Sequence, residues 1–109
     1  MASMARRLEL REILLDILGT SGQTDTRLYF QPPSSVRMKY PAIVYERNRL
    51  ENAFADNLVY HQSDQWQITV IDEDPDSEIV RAVSLLPRCR HDRHFISDNL
   101  NHDVFTLIF

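Results

Sequence analysis

The chain has 109 residues, 43% of them hydrophobic and 26% charged, with a formal net charge of −4 and a single cysteine. This is the size of one domain with one core, and one cysteine excludes an internal disulfide and a thiolate zinc site. The acidic balance weighs against tight binding to a nucleic-acid backbone, which needs a concentrated basic surface.

At the N-terminus, MASMARRLELREILLDILG places basic residues ahead of apolar ones, as a secretory signal does. Glu9, Arg11, Glu12 and Asp16 interrupt the apolar run, so the expectation is no signal, no transit peptide and no membrane span. Leu10, Ile13, Leu14, Ile17 and Leu18 recur at helical spacing and predict an amphipathic helix over roughly residues 4–18, ended by Gly19 at C′. Its polar face mixes both charge signs, which fits packing on a core better than a membrane surface.

Residues 26–31 (TRLYFQ) predict a short strand stopped by Pro32-Pro33, and 42–47 (AIVYER) a second. A third runs over 66–72, where Trp66, Ile68 and Val70 alternate with Gln67 and Thr69. A helix over 76–86 puts Ile79, Val80, Val83 and Leu86 on one face, and strands over 88–96 and 104–109 follow. The order α-β-β-β-α-β-β predicts an α+β domain spanning 1–109, with a small, mostly antiparallel sheet of four or five strands packed by two helices. Between the second and third strands, residues 48–64 read as a long loop. Phe54, Leu58, Val59 and Tyr60 make it too apolar for disorder. Such a segment packs either on its own domain or on a neighbouring subunit.

Five carboxylates fall within seven residues, Asp72 to Glu78. A calcium loop starting at Asp72 would place Asp74 and Asp76 correctly, but it needs glycine where Ser77 stands and glutamate where Val83 stands. The run reads instead as a helix start, with Asp74 as N-cap, Pro75 at N1, and Asp76 and Glu78 in the positive first turn. His91-Asp92-Arg93-His94 is the other constellation. Regular alternation points His91 and Arg93 one way and Asp92 and His94 the other, which makes a poor chelate. Cys89 lies between Arg88 and Arg90, which would lower a thiol pKa, but reads as a small strand residue. No nucleophile-elbow, P-loop or zinc-protease motif occurs, and two glycines cannot build a phosphate cradle. No catalytic, metal or cofactor-binding residue is therefore assigned.

Three stretches, MKYPAIVYER (38–47), QITVIDEDPDSEI (67–79) and CRHDRHFISDNLNHDVFTLIF (89–109), together resemble a family of small tailed-bacteriophage and prophage proteins. These are the minor tail, tail-completion or tail-terminator proteins. With the intervening loop the likeness covers about two-thirds of the chain. It implies an α/β subunit in a ring, typically of six copies, that caps the tail tube and meets the head-tail connector or neck proteins. It also implies a virion protein assembled in the bacterial cytoplasm. A ring subunit needs two different complementary patches. Arg49, Phe54, Asp56 and Tyr60 of residues 48–64 are candidates for one, and Arg90, Asp92 and Arg93 for the other. A ring of six would carry about −24, six times the formal −4, which favours genomic DNA sliding through the lumen without specific binding. Three alternatives stay open: a head-tail adaptor or head-closure protein, a small metal-assisted hydrolase built on Asp72, Asp74, His91 and His94, and a small adaptor domain that binds host proteins.

Overall fold

Leu10, Leu14 and Leu18 form one stripe along the first helix, and all three are buried. The computed structural model describes the backbone of residues 2–20, 22–32, 37–55 and 58–109, and their side chains apart from 2–6 and 48–63. Its elements are α1 (Ala2–Leu18), β1 (Leu28–Phe30), β2 (Ala42–Ala55), β3 (Leu58–Asp72), α2 (Glu78–Ser84), β4 (Cys89–Ser97) and β5 (Leu100–Ile108). The fold is α+β. Five strands lie in the order β1-β2-β3-β5-β4. All neighbours are antiparallel except β1, which runs parallel to β2.

Gly19 ends α1 as its sequence position predicts. Its φ is +72°, its N–H donates to Asp16 O (3.2 Å), and the next N–H, of Thr20, donates to Leu15 O (3.1 Å). Two otherwise orphaned helix carbonyls are thereby satisfied. A Cβ at this position would meet no heavy atom within 4 Å, so alanine there is penalised by backbone strain alone. The Gly19→Ala variant should lose about 1 kcal/mol in urea denaturation.

Alternation along the strands sends Ile43 and Tyr45 of β2, Trp66, Ile68 and Val70 of β3, and Phe105 and Leu107 of β5 to a single face. There they meet the α1 leucines and Val83 of α2. Phe30, Tyr45 and Trp66 form an aromatic trio with ring centroids 5.1–6.2 Å apart. Ile79 and Val80 pack against the same core as the helical spacing predicts, and so does Leu86, although α2 ends at Ser84, short of the expected 76–86. The opposite face of the sheet carries Val44, Glu46, Gln67, Thr69, Val104, Thr106 and Phe95, and neither helix covers it.

The largest departure from the sequence reading concerns residues 48–64, expected as a long loop. They belong to two long strands. The β2–β3 ladder continues past Arg47–Trp66 through Leu50–Asp64 and Asn52–Gln62 to Ala55–Leu58. Register shifts fall between Arg47 and Arg49 and between Ala53 and Phe54, and each breaks the period-2 pattern that marks a strand. Among the described residues, β5 pairs with β3 from Gln65 onward, with Phe109 N–H also donating to Asp64 O (3.0 Å), and β1 pairs with β2 at Ile43–Tyr45. The far half of the hairpin is thus a two-stranded ribbon with no third strand among the described residues. At ~3.4 Å per residue it reaches roughly 27 Å beyond Arg47. The molecule measures 51 × 29 × 27 Å, and its radius of gyration is 14.9 Å, against about 13 Å for a compact chain of this length.

The acidic turn also differs in detail. The N-cap of α2 is Ser77, whose Oγ accepts from Ile79 N–H (3.2 Å), and not Asp74. Asp72 Oδ1 accepts from Asp74 N–H (3.0 Å), and Asp74 Oδ1 accepts from Asp76 N–H (2.9 Å). These two side chains satisfy backbone donors of the turn one residue pair earlier than a helix cap would.

Candidate interaction surface

The structure places six of the seven predicted interface residues, in two regions. Arg49 and Phe54 stand on the ribbon opposite Gln65 and Val59. Tyr60 is the residue skipped between the His61 and Val59 pairings, so it lies at a bulge. Asp56 falls outside the described residues.

The second region is on β4, the outer strand, where every residue after Cys89 is exposed. Its ladder with β5 passes from His91–Phe105 to Arg93–Val104, leaving Asp92 unpaired as a bulge. One extra residue inverts the alternation that regular strand geometry predicts. Arg90, opposite Thr106, and Arg93, opposite Val104, therefore share the uncovered face. The Asp92 carboxylate joins them there. It accepts from Thr106 Oγ1 through Oδ2 and from Arg90 Nε through Oδ1 at 3.2 Å. The three candidates form one cluster because the strand is irregular.

Two neighbours that pattern reasoning missed enlarge the cluster. The Arg93 guanidinium lies 5.9 Å from the centroid of the Phe95 ring. That ring stacks on His102 at 4.6 Å and 11°. Phe95 is 40% exposed and Ile96 67%. The available signal was cross-strand pairing of Phe95 with His102, which needs the bulged register to be known. Arginine and aromatic side chains on an exposed, uncovered sheet face are the composition of interface hot spots. A charged, bulged edge also discourages indiscriminate strand pairing, which directs recognition to the side chains.

The hydrogen bond from Thr106 is the main cause that holds the Asp92 carboxyl below the usual carboxylate range, and the contact with Arg90 adds to it. A group with a depressed folded-state pKa contributes stability that is present above its unfolded value. That contribution disappears as the pH falls through the folded value, so it is lost below about pH 4. Thr106→Val should raise the Asp92 midpoint toward the ordinary carboxylate value in an NMR titration.

The same bulge carries both histidines to the helix-covered face, although regular alternation predicts that they point apart. His91 and His94 stand opposite Phe105 and Asp103, two positions apart on β5. His91 Nε2 contacts Asp103 Oδ1 at 3.0 Å, and its ring meets Phe105 edge-on at 5.1 Å. His94 Nε2 lies 3.2 Å from Asn101 Oδ1. Asn101 Nδ2 reaches the carbonyls of Asp72 (3.4 Å) and Glu73 (3.3 Å) and ties the acidic turn to β5. His94, Asp103, Ser77, Arg81 and Ser84 border a shallow cleft of about 360 Å³. The four residues of the hydrolase reading are thus engaged separately: the two acids by backbone N–H groups, the histidines by Asp103 and Asn101. Among the described residues no three His, Cys, Asp or Glu side chains are placed to hold a metal. Burial and the Asp92 charge push the Cys89 thiol up, against the lowering that its flanking arginines suggest.

No protein-family model matches the chain, and no curated protein matches it. Among the described residues no helix is long and apolar enough to cross a membrane.

Proposed function

We propose that this chain is a structural, non-enzymatic subunit of a tailed bacteriophage, a tail terminator that closes into a ring, caps the tail tube and joins it to the neck. The observation that carries the assembly part is the ribbon. A two-stranded hairpin in water is marginal by itself, and beyond Arg47 and Asp64 this one has no third strand among the described residues. A surface supplied by another copy stabilises it. The Arg90–Asp92–Arg93–Phe95 cluster is a second surface of different chemistry, at the outer edge of the sheet. Two unlike surfaces on one subunit make head-to-tail contacts, which close into a ring when the rotation closes. The resemblance of 38–47, 67–79 and 89–109 to tail-completion proteins supplies the virion setting. The tail tube protein and the neck proteins are then its partners, with DNA passing an acidic lumen without specific contacts.

Light scattering on the purified protein tests the assembly part. Mass should rise with concentration toward a ring, and addition of tail tubes should promote closure. A chain that stays monomeric with and without tubes refutes it. A head-tail adaptor would use the same surfaces, and the imaging experiment that closes the Discussion separates the two: lost length control marks a terminator, while normal tails detached from heads mark an adaptor.

A further inference from the structure

β4 is the outer strand of the sheet, and among the described residues no strand lies beyond it. Hydrogen bonding to β5 fixes which of its backbone groups turn outward. Ile108 N–H donates to Arg88 O at 3.2 Å, so Arg88 and, two residues on, Arg90 direct their backbone groups to β5. From the other end, Ser97 and Leu100 close a two-residue turn, which directs Ser97, Phe95 and Arg93 to β5 in the same way. His91, His94 and Ile96 therefore present N–H and C=O groups on the outer edge, and all three are exposed.

We propose that this edge pairs antiparallel with the same edge of a second copy about a two-fold axis, with Asp92 of each copy opposite Arg93 of the other. The bulge chooses that register. It leaves two consecutive residues, Asp92 and Arg93, on the uncovered face. Paired strands must match face for face along their length, and here they do so only when this doublet meets the doublet of the second copy. A slip of one or two residues sets side chains of opposite faces against each other. With the doublets aligned, Arg90 stands opposite Phe95, which adds a cation beside a ring to the two opposite-charge pairs. His91 stands opposite His94, so the residues with outward backbone groups meet and exchange ladder hydrogen bonds. The Asp92 carboxylate accepts from Thr106 and Arg90 and retains lone pairs for a donor from the second copy. A bulge disturbs pairing with a regular strand. A second copy carries the same irregularity, so the edge that rejects ordinary strands accepts its own kind. Such a contact closes on itself and occupies the cluster that the ring reading assigns to a head-to-tail neighbour. The free chain is held as a dimer, and its copies part before a ring closes. The pairing itself does not depend on the ring reading.

Ile96→Cys tests the register on the full chain, with the native Cys89 thiol as its partner and circular dichroism verifying that each variant folds. Within one chain the two positions are roughly 24 Å apart along β4, far beyond disulfide reach. Across the two-fold axis they stand opposite each other. Under mild oxidation the Ile96→Cys chain should become a covalent dimer and nothing larger, because both thiols of each copy meet the same second copy. The same substitution in a Cys89→Ala background should cross-link on the order of tenfold more slowly, since pairing raises the effective concentration only of opposed thiols. Arg93→Glu sets carboxylates together on both sides of the axis and should weaken dimerisation in sedimentation equilibrium on the order of a hundredfold. Arg88→Glu, opposite Ser97 in this register, should change it less than about threefold. A covalent ladder that continues past the dimer overturns the two-fold pairing, and so does cross-linking no faster than in the Cys89→Ala background. An unaltered constant for Arg93→Glu overturns the register. Added tail tubes separate this from the ring reading: the reduced protein should close on them and the oxidised dimer should not. If neither closes, the ring fails and the pairing stands, whereas an oxidised dimer that still closes overturns the competition between the two.

Discussion

Replacing residues 51–63 by Asn-Gly, which closes the hairpin at the Leu50–Asp64 rung, is expected to leave the domain folded and abolish the proposed self-association into a ring. The reason lies in how the sheet is divided. The core draws on Ile43, Tyr45, Trp66, Ile68, Val70, Phe105 and Leu107, all on the body side of that rung. The two-residue turn supplies the positive φ angles that a tight hairpin needs. Thermal unfolding should therefore change by only a few degrees, while the association constant falls on the order of a thousandfold, about 4 kcal/mol, as when the central contacts of an interface are removed. A shortened chain that still assembles with the original affinity would mean that the ribbon is no contact surface.

Trp66→Ala should be the most damaging single change in the body, lowering stability by about 3–5 kcal/mol in guanidinium denaturation. Trp66 is 2% exposed and touches both Phe30 and Tyr45. Its removal leaves a cavity under α1 that rigid strands on either side cannot close. The indole also has a weakness, because its Nε1 is buried with no hydrogen-bond partner among the described residues. Trp66→Phe deletes that unpaired donor while keeping a ring in place, so it should cost far less than alanine, about 1–2 kcal/mol. Equal losses for the two variants would show that the polar atom and the ring volume have been weighed wrongly.

The body of the fold was legible because each of its elements carries a local signal. Leucines at helical spacing with Gly19 behind them mark α1, and Trp66-Ile68-Val70 mark β3. The ribbon was hidden because its strands hold Asn48, Glu51, Asn52 and Ala53, residues with poor strand propensity, and because two register shifts break the alternation. One cue was available. Asp56-Asn57 repeats the dipeptide Asp98-Asn99, which turns β4 into β5 with φ of +54° and +63° between the paired Ser97 and Leu100. An Asp-Asn pair between apolar runs is a hairpin signal.

The candidate site was legible in composition and not in arrangement. Arg90, Asp92 and Arg93 could be chosen for their charge, but strict alternation assigns Arg93 and Asp92 to opposite faces. Only the bulge at Asp92 brings all three together with Phe95 and sends His91 and His94 to the other side. A bulge depends on pairing between strands, and no single strand's sequence contains it. The parallel pairing of β1 with β2 has the same character, since three residues, Leu28–Phe30, carry no mark of direction.

The proposed tail-terminator role is tested most directly by phage particles made without this protein. With the gene deleted from a phage that carries it, the proposal predicts that electron microscopy of the lysate shows tails of uncontrolled length that fail to join filled heads. The ribbon-shortened protein supplied in trans should not restore them, whereas the complete chain should. Normal, infectious particles in the absence of the protein would contradict the account outright.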